Sequence, residues 1–85
     1  MEITFDPVKN AINHDKHGLS LGDFRGFDEE PVTVVDDRFD YGEQRFQARG
    51  RIAGKTFCLV YTETADGIRV ISFRRAHAKE MRRHE

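Results

Sequence analysis

Residues 43–75 read EQRFQARGRIAGKTFCLVYTETADGIRVISFRR, and the spacing of their side chains decides the fold class. From Glu43 to Ile52 the residues alternate. Phe46, Ala48 and Ile52 point one way, and Arg45, Gln47, Arg49 and Arg51 point the other. A period of two is the signature of a strand with one buried face. Ala53-Gly54 follows as a hairpin turn. Lys55 to Thr62 is apolar on both faces, which suits a central strand. Asp66-Gly67 is a second turn signal, and Ile68 to Arg74 forms the next strand. That last strand mixes polar and apolar residues on both faces, so its buried face does not follow from alternation.

Upstream, Val32 to Val35 is a β-branched strand, followed by a polar loop from Asp36 to Gly42. Glu2 to Phe5 is a short strand. Asp6-Pro7 then starts a helix, because Asp accepts orphan N–H groups and Pro at the first helical position forfeits no hydrogen bond. This helix runs to about Lys16 and stops at Gly18, with Val8, Ala11 and Ile12 as a narrow apolar face. Ser20, with Asp23 three residues on, opens a second short helix carrying Leu21, Phe24 and Phe27, and Glu30-Pro31 ends it. Ala76 to Glu85 reads as a basic terminal helix. The expected fold is α+β: an antiparallel β-meander sheet with two N-terminal helices and a C-terminal helix, in one domain spanning residues 1–85.

Composition bounds the rest. Eighty-five residues support one modest core. Charged residues reach 34% and mean hydropathy is −0.68, yet seven Phe and two Tyr argue against disorder. The longest apolar run is Phe57 to Val60, which excludes a helical membrane span, and no signal peptide opens the chain, so a cytoplasmic site is expected. The lone Cys58 excludes an internal disulfide, and its apolar surroundings mark a core residue. Net charge is −1, but residues 1–43 sum to −7 and residues 44–85 to +6. Such asymmetry points either to an anionic partner or to attraction between the halves.

Arg45, Arg49 and Arg51 share one face of one strand, and Arg74, Arg75, Lys79, Arg82 and Arg83 form a second basic cluster. A solvated face is the plain reading. A phosphate-binding surface is the functional one, because the planar guanidinium grips phosphate oxygens in two places. The interleaved aromatic residues belong to the core rather than to a base-stacking platform. His14 and His17 lie three apart on a helix but lack a third ligand, so no metal site is expected. His17 beside Lys16, at a helix end, is either a favourable C-terminal cation or a general acid or base. No nucleotide-binding motif occurs.

Several segments resemble the BrnT family of toxins. They are Phe5-Asp6-Pro7-x-Lys9, Asn13-x-x-Lys16-His17-Gly18-Leu19-Ser20, Glu43-x-Arg45 followed by Gly50, and Tyr61-Thr62 leading to Ile68-Arg69-Val70-Ile71-Ser72-x-Arg74-x-Ala76, with Glu80 near the end. The resemblance spans nearly the whole chain. It implies a small ribonuclease toxin of a type II toxin–antitoxin pair with a RelE-like fold. It also implies a BrnA-like antitoxin that carries the DNA-binding part of the complex, and dimerisation within that complex. Two positions depart from the family pattern: Phe73, where a small residue is common, and His84, where a Tyr is common.

RNA cleavage through the 2′-hydroxyl needs a base, an acid and fixed cations, and no metal or other cofactor. The expected catalytic residues are Lys16, His17, Glu43 (an alternative base), Arg45, Arg74 and Arg75. Arg49, Arg69, Lys79, Arg82 and Arg83 would be RNA contacts. An antitoxin that masks the Arg-rich face with an acidic segment would mimic RNA. The alternative is a non-catalytic or degenerate member acting only as a protein-binding module.

Overall fold

The β-branched and aromatic residues of the central region build a five-stranded sheet. In the computed structural model, which describes residues 2–37, 40 and 42–76, the elements are β1 (Glu2–Phe5), α1 (Pro7–His17), a single 3-10 turn (Leu21–Asp23), β2 (Val32–Asp36), β3 (Arg45–Ile52), β4 (Lys55–Glu63) and β5 (Gly67–Arg75). The spatial order is β1-β5-β4-β3-β2. Strands β2 to β5 form the antiparallel meander expected from alternation, with Ala53-Gly54 at the β3–β4 hairpin. The two turn residues have φ of 52° and 77°, the mirror-image turn geometry that matches strand twist.

The expected fold class needs correction. The sheet is mixed, because β1 runs parallel to β5 from Glu2↔Gly67 to Phe5↔Val70. The second N-terminal helix is only the 3-10 turn, since Gly22 and Gly26 deprive that stretch of helix propensity and Phe24 already has extended backbone. Among the described residues there is one α-helix in a mostly β fold. Of the C-terminal helix expected from Ala76 to Glu85, Ala76 is described and is not helical, and the remainder falls outside the described residues.

One sheet face carries the core. Leu21, Phe24, Ala48, Leu59, Ile68, Val70 and Phe73 form the buried cluster, with Ile3, Phe5, Leu19, Phe27, Ile52, Phe57 and Tyr61 packed against it. The segment from Leu19 to Phe27 is the lid on that face. Its start is fixed by a full capping box, in which Asp23 accepts from the Ser20 N–H at 3.2 Å and Ser20 Oγ accepts from the Gly22 N–H at 3.2 Å. Phe73 packs edge-on to Phe24 (centroids 5.5 Å apart) and stacks on Phe57 (5.2 Å). The departure at Phe73 is therefore a matter of core volume; its ring lies on the face opposite Arg74.

A bulge in β5 explains the mixed pattern of that strand. Val60 pairs with Ser72 but Tyr61 pairs with Val70, which leaves Ile71 as an extra residue. Parity flips there. Ile68, Val70 and Phe73 share the core face, and Arg69, Ser72 and Arg74 share the other.

Helix α1 has the expected caps: Asp6 accepts from Val8 N–H at 2.9 Å, and Gly18, at φ 71°, donates to His14 O at 2.8 Å. Its expected apolar face is not what holds it. Val8 and Ile12 are 67% and 60% exposed, and the buried residue of the helix is Asn13. Asn13 Nδ2 donates to Phe73 O and Leu19 O, both at 2.8 Å, while its Oδ1 accepts from Phe73 N–H at 3.1 Å. Strand β1 ends opposite Val70, so the Asn13 amide completes the β5 edge just where β1 stops. Asn10 Oδ1 accepts from Leu21 N–H at 2.6 Å and Ser20 Oγ at 2.9 Å, which ties the helix to the lid.

Candidate functional site

The sheet face opposite the core is basic. Register places Arg45, Gln47 and Arg49 of β3, Cys58 and Val60 of β4, and Ser72 and Arg74 of β5 on it. Asp36 joins them from β2, directly across from Arg45. Asn13 anchors the last turns of α1 beside β5, so Lys16 and His17 reach the rim of this face. Together Lys16, His17, Asp36, Arg45, Gln47, Cys58, Val60, Ile71, Ser72 and Arg74 enclose a cavity of about 260 Å³. A second cavity of about 220 Å³ continues along α1, lined by Lys9, Ile12, Asn13, Lys16, His17, Ile71 and Ser72. A third, also about 220 Å³, is lined by Asp6, Lys9, Arg69, Val70 and Ile71. Bulged Ile71 lines all three, so the cavities adjoin in a row, here called the trough, from Arg45 and Arg74 past Lys16 and His17 to Lys9 and Arg69.

Electrostatics distinguish the members. Burial, then the Lys16 ammonium, then the Arg74 guanidinium push the His17 imidazole below its ordinary value, which favours the neutral ring. Glu43 moves the other way from a useful base. Its hydrogen bond from Arg69 comes first among the causes that hold its carboxyl below the ordinary range. Arg69 Nη2 donates to Glu43 Oε1 at 2.7 Å and Oε2 at 3.0 Å, and Arg45 Nε donates to Oε2 at 3.4 Å. Arg49 Nη2 donates to Gln47 Oε1 at 3.0 Å, while its Nε and Nη1 are buried with no hydrogen-bond partner among the described residues.

The expected site residues thus divide. Lys16, His17, Arg45 and Arg74 meet at one cavity. Arg69 joins the far end of the trough, and Arg49 lies on the same face. Glu43 bridges Arg45 and Arg69 at the surface without lining the cavity. Arg75 stands on the opposite face, with its guanidinium 5.4 Å from the Phe57 ring centroid and its Nε donating to Thr56 O at 3.2 Å. Lys79, Arg82, Arg83 and His84 lie outside the described residues. Cys58 is buried, as expected, but on the floor of the basic cavity rather than in the apolar core. Lys9 and Asn13 stand in the segments that carry the family resemblance, but sequence reasoning assigned neither a role. The signal for Asn13 was a polar residue on the inner side of a helix whose apolar residues sit elsewhere.

The basic trough, with an imidazole whose pKa is lowered beside two cations, fits an RNA backbone. A family model described as the ribonuclease toxin, BrnT, of type II toxin–antitoxin systems matches residues 5–80. The chain belongs to the BrnT family. BrnT toxins are ribonucleases paired with antitoxins, so RNA is the substrate class and an antitoxin is a partner. The matched span contains every residue of the trough. No curated relative and no solved structure matches the chain. Among the described residues no helix is long and apolar enough to cross a membrane.

Proposed function

We propose that this BrnT toxin cleaves RNA in the cavity between the end of α1 and the basic sheet face, by attack of the 2′-hydroxyl on the adjacent phosphorus. The carrying observation is the meeting of Lys16 and His17 with Arg45 and Arg74 around one cavity, where burial and the two cations lower the imidazole pKa. Neutral His17 takes the 2′-hydroxyl proton. The 2′-oxygen–phosphorus bond forms and the phosphorus–5′-oxygen bond breaks. Lys16 protonates the departing 5′-oxygen. Arg45 and Arg74 hold the charge that builds on the non-bridging oxygens, where fixed cations count most. No metal enters this scheme. The products are a 2′,3′-cyclic phosphate and a 5′-hydroxyl. Glu43 positions Arg45 and Arg69 and is not the base. Arg49, Arg69 and Lys9 contact flanking phosphates.

The resemblance supports the remaining parts of this reading: a BrnA-like antitoxin, contact with DNA only through it, a dimeric complex and action in the cytoplasm. The test is cleavage of RNA oligonucleotides by purified protein in EDTA, with end-group analysis. The expected result is cyclic phosphate ends, with losses of at least about 100-fold in His17→Ala, Lys16→Ala and Arg74→Ala, the scale of general acid–base and oxyanion contributions. Folded wild-type protein that cleaves neither free nor ribosome-bound RNA would overturn the reading and leave a binding module.

A further inference from the structure

The outer edge of β2 is the feature that the cleavage chemistry does not use. It is the last strand in the sheet, and among the described residues nothing pairs with its outer side. Its sequence, Val-Thr-Val-Val-Asp, is β-branched and contains no proline. Val32, Val34 and Val35 are 40%, 37% and 49% exposed. Native edges are ordinarily blunted by lysines, prolines or a covering element, because unpaired N–H and C=O groups recruit strands. Pro31 stands just before the strand, but within Val32–Asp36 there is no lysine or proline, and no described element covers the edge.

Charge says what chemistry fits. Asp28, Glu29 and Glu30 are exposed just before the strand, and Asp37 and Asp40 are exposed just after it. A second copy of β2 would set acid against acid in either orientation, which disfavours self-pairing. Beside the start of β2, an apolar groove of about 580 Å³ opens on the core face, floored by Phe24, Phe27, Ala48, Leu59 and Tyr61. Asp28, Glu29, Glu30 and Glu63 rim it.

We propose that a segment of the antitoxin adds to the outer edge of β2 as a strand. Its flanking Lys or Arg residues meet the acids at both ends, and an apolar side chain enters the groove beside Pro31. This deepens the toxin–antitoxin reading and rests on it. Main-chain hydrogen bonds would supply affinity, and the groove and acids would supply specificity. The partner chemistry is cationic and extended, the opposite of an RNA mimic laid on the basic face.

Two measurements test the proposal on toxin purified alone and with its cognate antitoxin. In amide hydrogen exchange, residues 32–36 are expected to slow in the complex. In binding, a Glu29→Lys/Glu30→Lys double variant is expected to weaken antitoxin affinity at least tenfold while cleavage by the free toxin stays unchanged. Protection confined to the trough around Lys16, His17 and Arg74, with β2 unaltered, would overturn the proposal in favour of a masked active site. An unweakened double variant would also overturn it. Cleavage by free toxin scores the catalytic reading separately, so an inactive chain whose β2 is still protected would sink that reading and keep this one.

Discussion

Ala53 is the one described non-glycine residue with a positive φ, at 52°. An L-residue with a Cβ costs about 1 kcal/mol in that region, and Asn tolerates it better. Its N–H donates to Asp28 Oδ2 at 2.8 Å, a backbone contact that any side chain keeps. Ala53→Asn is therefore expected to stabilise the protein by about 0.5–1 kcal/mol, read as a shift in the urea midpoint at constant slope. Asn13 is the opposite case. Asn13→Ala strips partners from the buried Phe73 N–H and Phe73 O, each costing about 1–3 kcal/mol when left unmade, and from the part-buried Leu19 O. Thermal unfolding should show a loss of at least about 2 kcal/mol, and an unchanged midpoint would refute its structural role.

At the scale of elements, Gly67 holds β1. A Cβ there would collide with the backbone of Glu2, which has no flexible end to move aside. Gly67→Ala is expected to release β1 from β5 and to loosen the start of α1, which begins two residues after β1 and is then held only through Asn10 and Asn13. Hydrogen exchange should show faster amides at residues 3–5 while β3 and β4 keep their protection. Cleavage should fall as Lys16 and His17 lose their place.

The same scale shows what was legible in the sequence. Strands β3 and β4, their hairpin and the caps of α1 obey local rules, and local rules predicted them. The partner of β1 is Gly67 onward, a pairing across nearly the whole chain that no local pattern encodes. In β5 the Ile71 bulge breaks the alternation on which face assignment depends, so Arg69 and Arg74 share a face despite an odd spacing. Arg75 was placed with Arg74 by adjacency, but pleating sends it to the other side. Val8 and Ile12 looked like a buried stripe, yet polar contacts from Asn10 and Asn13 dock the helix instead.

Across the whole molecule, charge and proton uptake become measurable together. The His17 pKa is lowered in the fold, so the folded chain binds fewer protons than the unfolded one below the ordinary value of 6.5. Stability should therefore fall as pH drops through 6.5 toward the lowered value, and this contribution should be flat above 6.5. If neutral His17 is the base, cleavage rises with pH through an inflection below 6.5. Lys16→Ala and Arg74→Ala remove cations that lower it, so their residual activity should inflect at higher pH. A pH–rate profile that does not move in either variant would remove His17 from the base role.

The parallel alignment of the first strand with the last has a consequence for synthesis. Residues 2–17 leave the ribosome first, but β1 and the helix behind it have nothing to dock on until Gly67 to Phe73 have emerged. The cavity draws Lys16 and Arg74 from the two ends of that interval and Arg45 from between them. The cavity therefore cannot assemble before β5 is available, whereas β2, β3 and β4 pair in chain order and form their edge without β1 or α1. If the antitoxin adds to β2, capture can precede assembly of the cavity.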